Sequence, residues 1–332
     1  MILEKSNFQD VRSIVVTGGA GAIGSRLVRR IREYSSAPIL VVDDLSSGYE
    51  WLLPEDPALS LRKVDVCSLR ELGLQLEGPL VFHLAAFFAN QNSVDHPEQD
   101  LHTNGLGTLT VLRWAAESKA LRVVYASAGC SIAGHGIDAP ISEDMPVSLQ
   151  LDTPYQITKA LGEFYCNYFN AQVSTSRCRF FNSYGPGEVP GRYRNVIPNF
   201  IWLALHDKPL VITGTGNETR DFIYVDDLVD GLLRCACLPQ AHSESFNLGT
   251  GVETRVIDLA RAIIELSGSK SEIQFAERRA WDHSLRRQAN IDKARQTIGL
   301  APKISVLEGL GKTIAWYKEN FDKIRQAMRG EL

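Results

Sequence analysis

A chain of 332 residues with 44% hydrophobic and 22% charged residues has the make-up of a globular enzyme of one large or two medium domains. A formal net charge of −4 gives no basis for binding nucleic acid or a membrane surface, so a phosphate-bearing ligand has to be held by local groups. No apolar run approaches the roughly 18 residues of a membrane span. The first ten residues, MILEKSNFQD, lack the apolar stretch of a signal peptide, and a cytoplasmic protein is expected.

In chain order, short apolar runs alternate with amphipathic segments through the first half, the pattern of βαβ units. Strands are expected at 13–18, 39–44, 79–86, 122–127 and 175–181. These runs are continuously apolar or β-branched, as strands covered on both faces are. Between the first two, Ile23, Leu27, Ile31 and Tyr34 recur on one helical face. The fold class expected is α/β, a Rossmann-type doubly wound parallel sheet.

The first strand runs into TGGAGAIG (17–24), which opens that helix. Gly19, Gly21 and Gly24 fit G-x-G-x-x-G, and Gly18 shifts the motif toward G-x-x-G-x-x-G. Glycines let the backbone turn tightly and approach a pyrophosphate, whose charge meets the helix N-terminus. Gly18, Gly21, Ala22, Ile23 and Gly24 are therefore cofactor candidates. Asp43, at the end of the second strand, is placed to accept from the adenosine ribose hydroxyls; its charge repels a 2′-phosphate, which favours NAD over NADP. Asp65 and Val66 are candidates for the adenine. Leu84, Ala85 and Ala86, in HLAA, end a strand with small residues where a dinucleotide must lie close to the backbone; His83 reads as a core histidine.

YASAGCSIAG (125–134) is a strand end entering a loop of small residues, where Ser127, Cys130 and Ser131 compete for the role of catalytic group. YQITK (155–159) places Tyr155 and Lys159 four apart on one helix face, with Pro154 at the start. A lysine ammonium lowers the phenol's pKa, so the phenolate can take a proton from a hydroxyl while hydride leaves the adjacent carbon. After Phe181, NSYGPGEVPGRYRN (182–195) is a long loop; a helix follows at 197–206, a turn at 214–218 and a short apolar run at 221–225. The last third mixes helices with a strand or two and closes on a helix carrying Leu307, Leu310, Ile314, Tyr317 and Phe321 on one face. Residues 1–181 with about 217–248 are expected to form the cofactor domain, interleaved with a smaller one from about 182–216 and 249–332. The six cysteines are scattered, and Cys235 and Cys237 are too close for the usual zinc pattern; reduced, buried thiols and no metal are expected.

Together TGGAGAIG, Asp43, HLAA, YQITK, RFFNSYGPG and TRDFIYVDD, from Ile14 to about Gly299, resemble the extended short-chain dehydrogenase/reductase family. Within it they resemble the branch of nucleotide-sugar epimerases and dehydratases typified by UDP-glucose 4-epimerase. The resemblance implies that Asn182, Arg220 and Arg279 hold a nucleoside diphosphate, with Arg278, Arg286 and Arg287 competing for the last place, and that Asn195 is a further contact. It places FFANQNSVDHP (87–97) beside the sugar, where Phe88, Asn90, Gln91 and Ser93 face its hydroxyls; no lysine or arginine there argues for an anionic sugar.

The activity implied is NAD-dependent oxidation of a sugar hydroxyl at C4, with Tyr155 as base, and return of hydride to the other face of the 4-keto sugar. Two variants stay open, loss of water by a dehydratase and decarboxylation of a uronic acid, as does a non-catalytic protein that binds NAD and a nucleotide sugar. Family dehydratases carry an Asp-Glu pair where this chain has Cys130 and Ser131, which weighs against dehydration. The family's hydroxyl donor falls on Gly129 when the motif is aligned from its end, and on Ala128 when aligned from the strand. Neither can donate from a side chain, so three readings stay open: Ser131, narrowly preferred, or Ser127 takes the role through a shifted loop, Cys130 serves as a weak acid, or the hydroxyl is absent and Tyr155 and Lys159 work without it. The implied partners are a nucleoside-diphosphate sugar, a UDP-sugar first, and a second copy of the chain packed through helices of the cofactor domain.

Overall fold

The computed structural model describes residues 3–129, 133–134, 136–137 and 139–328. Strands are numbered along the chain: β1 (Ile14–Thr17), β2 (Ile39–Val42), β3 (Leu59–Arg62), β4 (Leu80–His83), β5 (Arg122–Ala128), β6 (Thr175–Phe180), β7 (Asn182–Tyr184), β8 (Leu210–Thr213), β9 (Thr219–Tyr224), β10 (Ser245–Leu248), β11 (Glu253–Arg255) and β12 (Ile273–Ala276). Seven of them form one parallel sheet in the order β10-β6-β5-β4-β1-β2-β3. The chain runs outward from β1 to β3, then returns to β4 on the other side of β1. The order therefore reverses between β1 and β4, and an open α/β sheet binds its ligand in the crevice at the carboxyl ends of such a pair.

Burial of both sheet faces follows from the two-residue period of a strand. Ile14 and Val16 join one apolar cluster, while Val15 joins the other. The first cluster is covered by helices α1 (Ala22–Ile31) and α7 (Val225–Cys237), which Arg26–Asp226 and Arg30–Asp230 ion pairs also link. The second is covered by α4 (Gly107–Glu117) and α5 (Pro154–Phe169). The remaining helices are α2 (Asn90–Asp95), α3 (Pro97–Asp100), α6 (Val196–Ala204), α8 (Val256–Ser267), α9 (Asp292–Ile298), α10 (Val306–Glu319) and α11 (Phe321–Ala327). A π-helical turn, Leu101–Leu106, joins α3 to α4.

The five strands expected from the sequence appear as β1, β2, β4, β5 and β6. The edge strand β3 was not anticipated: LSLR alternates half-buried and exposed residues and so lacks the solid apolar run of its neighbours. Two smaller sheets, β11-β9-β7 and β12-β8, lie outside the main one, whereas β10 joins its far edge against β6. The expected closing helix is two helices. Leu310, Ile314 and Tyr317 are buried on α10, but Leu307 is exposed, and Phe321 starts α11 and stacks on Trp202. Cys166, Cys178 and Cys235 are buried as expected, while Cys67 and Cys237 are only partly so. Among the described residues, no helix is long and apolar enough to cross a membrane.

One buried ion pair locks α5 to the sheet. Arg179 of β6 donates two hydrogen bonds to Glu163 of α5, and neither side chain is more than 8% exposed. Removing one partner strands a buried charge, so Glu163→Ala should lower unfolding stability by about 3–5 kcal/mol. Urea unfolding followed by circular dichroism measures this; a loss below about 1 kcal/mol would mean the pair is not desolvated.

Candidate active site

A cavity of about 770 Å³ opens at the carboxyl ends of β1 and β4. At its floor the backbone turns are nearly in contact. Gly18 has φ +70°, and a Cβ there would lie 2.6 Å from the Ala85 amide nitrogen. A Cβ on Gly24 would lie 2.2 Å from the Gly18 carbonyl oxygen, which α1 can approach only without a side chain. The N-cap of α1 is Gly21, so no side chain covers the first amides of the helix, and the cavity meets an anion-binding end.

Gly18, Gly21, Ala22, Ile23, Gly24, Asp43, Asp65, Val66, Leu84, Ala85 and Ala86 all line this cavity. The Asp43 carboxylate is fixed by the amides of Ala20 (2.8 Å) and Leu45 (2.9 Å), and burial pushes its pKa up while those bonds pull it back. His83 bridges Thr17 (2.7 Å) and Thr108 (3.0 Å); burial and then Lys159 hold its pKa down to about 3, so it is a neutral strut between β1, β4 and α4. An elongated groove with a glycine floor, a helix N-terminus and a terminal carboxylate fits a dinucleotide without a 2′-phosphate.

At the other end lies the start of α5. Thr153 caps it, Pro154 occupies its first turn, and the Tyr155 amide donates to the Ser93 hydroxyl (3.0 Å). The Phe88 ring meets the Tyr155 ring edge-on, with centroids 6.0 Å apart. One turn on, Lys159 is 3% exposed; its Nζ donates to the Ala126 carbonyl (2.9 Å) and sits 5.6 Å from the Tyr155 ring centroid. Burial lowers the Lys159 pKa to about 8, and Asp100 works against that. Asp100 is itself fully buried and accepts from Thr158 (2.6 Å) and Asn104 (2.7 Å).

The structure separates the candidates for the missing hydroxyl. Ser127 shares the β5 face of Tyr125, toward α5, and its Oγ donates to Glu163 (2.6 Å). Its only proton is thus committed to the Arg179–Glu163 pair. Ala128, the next residue, lines the cavity with a methyl group. At Gly129 a Cβ would lie 2.4 Å from the Phe181 ring, so the ring fills the place of a side chain. Cys130 and Ser131 lie outside the described residues.

On the substrate side, Phe88, Asn90, Asn182 and Asn195 line the cavity, whereas Gln91, Arg220 and Arg279 are not among its lining residues. Asn182 Oδ1 is buried with no hydrogen-bond partner among the described residues, as suits an acceptor waiting for a ligand donor. Gln91 accepts from Trp281 Nε1 (2.8 Å) and donates to Asp95 (2.9 Å). Arg220 reaches Asp282 (3.3 Å), and Arg279 is exposed, stacking on Trp281. Ser93 is buried and accepts from the Tyr155 amide, which makes it a support for α5.

Arg287, one of several competing arginines in the sequence, is the arginine of that group on the cavity wall. Residues 285–287 run beside β9 through backbone bonds Thr219 N–H to Leu285 O, Asp221 N–H to Arg287 O and Arg287 N–H to Thr219 O. Alternation along this extended segment sends Arg286 to Glu253 and leaves Arg287 at the cavity. Arg194 and Glu188, from the long loop after β7, were also missed. Arg194 donates to the Ser47 carbonyl (2.9 Å) beyond Asp43, and burial pushes the Glu188 carboxyl up to about 7.

Residues 14–249 match the family model described as "NAD dependent epimerase/dehydratase family". The UDP-glucose 4-epimerase of Mycolicibacterium smegmatis is 33% identical over 92% of this chain and 98% of its own length. An epimerase of Methanothermobacter thermautotrophicus of known structure is 43% identical, with a TM-score of 0.92 over 97% of each chain. The Bordetella bronchiseptica enzyme WbmF, solved in complex with NAD+ and UDP, is 35% identical, with a TM-score of 0.84 over 98% of this chain and 97% of that one.

Asp43→Ala should remove charge-assisted hydrogen bonds of about 1.5–3 kcal/mol to the ribose. The NAD Kd should then rise roughly 10- to 100-fold while NADP is no longer rejected. Titration of each dinucleotide checks this, and an unchanged NAD/NADP preference would contradict the ribose role.

Proposed function

Because the chain belongs to the NAD dependent epimerase/dehydratase family, we propose that it is a nucleotide-sugar 4-epimerase acting on a UDP-sugar. The glycine turn at Gly18–Gly24, the amides at the start of α1 and Asp43 would hold NAD, the cofactor, which would supply a reversible hydride acceptor. Tyr155 takes the proton of the C4 hydroxyl as phenolate and gives it back after the 4-keto sugar has turned over. Lys159 is held by the Ala126 carbonyl and kept charged by Asp100 against its burial, and its ammonium stabilises the phenolate. Asn182, Asn195 and Arg287 hold the nucleotide from the cavity wall, and Arg220 supports Arg287 through the shared Asp282.

The choice of epimerisation rests on the segment after β5, where Cys130 and Ser131 stand in place of the Asp-Glu pair of family dehydratases. Epimerisation needs one proton-transfer group, which Tyr155 supplies, whereas loss of water across C5 and C6 needs a further acid and base. Tyr155→Phe should cut kcat roughly 10²- to 10⁴-fold with NAD still bound. The assay is interconversion of C4 epimers in a panel of UDP-, dTDP-, GDP- and CDP-sugars. Solvent isotope entering C5 or C6 would instead favour a dehydratase, and full turnover by the variant would sink the role of Tyr155.

The second partner is another copy of the chain. Ile157, Phe164 and Tyr168 are 53%, 54% and 70% exposed and recur on one face of α5, beside Leu101 and Leu106, which are 56% and 48% exposed before α4. A contiguous apolar face of this kind marks an association surface. Light scattering should give twice the chain mass, and Phe164→Asp with Tyr168→Asp should give monomers; a monomeric wild type would refute the dimer.

A further inference from the structure

We propose that Asp65, Cys67 and His102 form a three-ligand site for a divalent cation of the Zn²⁺ class at the adenine edge of the cofactor groove, and that filling it opposes NAD binding. One carboxylate oxygen, the thiol sulfur and one imidazole nitrogen lie within 4.8 Å of one another. A tetrahedron built on bonds of about 2.0–2.3 Å has edges of roughly 3.3–3.8 Å, so small side-chain rotations close the site. A mixed O, S, N donor set suits Zn²⁺, whereas Mg²⁺ and Ca²⁺ take shells of oxygen.

The three donors come from two elements that are clamped together. Asp65 caps the turn Val66–Leu72 by accepting from the Cys67 amide (2.7 Å), which sets carboxylate and thiol side by side. His102 lies in the π turn ahead of α4; its Nε2 is 3.5 Å from Asp65 Oδ2, and its carbonyl accepts from the Cys67 thiol (3.3 Å). Gly107, at the start of α4, brings that helix so close that a Cβ would lie 2.6 Å from Val66 Cγ1 and 3.7 Å from Cys67 Sγ. The donors are thus held in register before any ion arrives, and none of them takes part in the chemistry at Tyr155.

Binding uses the Asp65 carboxylate, a neutral His102 nitrogen and the Cys67 thiolate. One thiol proton is released, two anionic donors offset the double charge, and water completes the fourth position. Asp65 and His102 also line the cofactor cavity. A carboxylate committed to the cation no longer accepts from the adenine amino group, so cation and NAD oppose each other reciprocally. That coupling rests on the proposed place of the adenine beside Asp65.

Co²⁺ serves as the visible probe of the site and Zn²⁺ as its competitor. Chelator-treated protein titrated with Co²⁺ should develop a thiolate charge-transfer band and tetrahedral visible bands at one equivalent. Cys67→Ser should abolish the first, His102→Gln should weaken binding at least tenfold, and Zn²⁺ should bleach both bands. Equilibrium dialysis should show the NAD Kd rising at least tenfold with one equivalent of Zn²⁺ in wild type and staying constant in Cys67→Ser. Absence of a thiolate band, or the same band in Cys67→Ser, would overturn the site. A normal band with an NAD Kd indifferent to Zn²⁺ would overturn the coupling. Failure of the metal-free protein to bind NAD would overturn the cofactor groove, leaving the Co²⁺ result to stand or fall separately.

Discussion

At the centre of the molecule the turn after β1 lies against the turn after β4, with Gly18 so close to Ala85 that no Cβ fits between them. Everything at the ligand end of the sheet depends on that contact. It holds the two strands at which the chain order reverses, and so sets the width of the crevice. It brings the start of α1 over the crevice floor, where Gly24 repeats the same economy of space against Gly18. It also brings β4 within reach of His83's bridge from Thr17 to Thr108, which ties the glycine turn to α4.

A second requirement is that charges buried at the reaction end be answered locally. Lys159 is placed out of water against a backbone carbonyl, and Asp100, also buried, answers it from below α5. A few residues along, Arg179 and Glu163 form a separate pair, and Ser127 completes the hydrogen bonding of that carboxylate. Charge satisfaction therefore decides which hydroxyl is available for chemistry. Ser127 lines the cavity, but its hydroxyl proton is committed to the sheet–helix joint, and the wall beside it is formed by Ala128 and by the Phe181 ring packed on Gly129.

Much of this was legible in the residues. Solid apolar runs announced the inner strands, and TGGAGAIG followed by Asp43 announced the dinucleotide groove, because backbone clearance and a terminal carboxylate are local demands. The Tyr155–Lys159 spacing was equally local, since four residues make one helical turn. Even the fate of Ser127 had a signal: it shares the strand face of Val123 and Tyr125, and a period of two would have turned it toward α5. The edge strand β3 carried a weaker signal, because only alternate residues of an edge strand need be apolar.

Sequence alone determined the inner strands, the glycine turn with its carboxylate at Asp43 and the one-turn spacing of Tyr155 and Lys159, because each is set within a turn or along one strand. Tertiary structure alone decided which arginine reaches the cavity. Arg220, Arg279, Arg286 and Arg287 differ little as residues; their roles follow from the register of residues 285–287 beside β9, a pairing between segments some 65 positions apart. The same holds for Asp65, Cys67 and His102, whose donors meet only because Gly107 lets α4 settle on the turn at Val66. Contacts of this kind are set by how elements pack, and no local pattern records them.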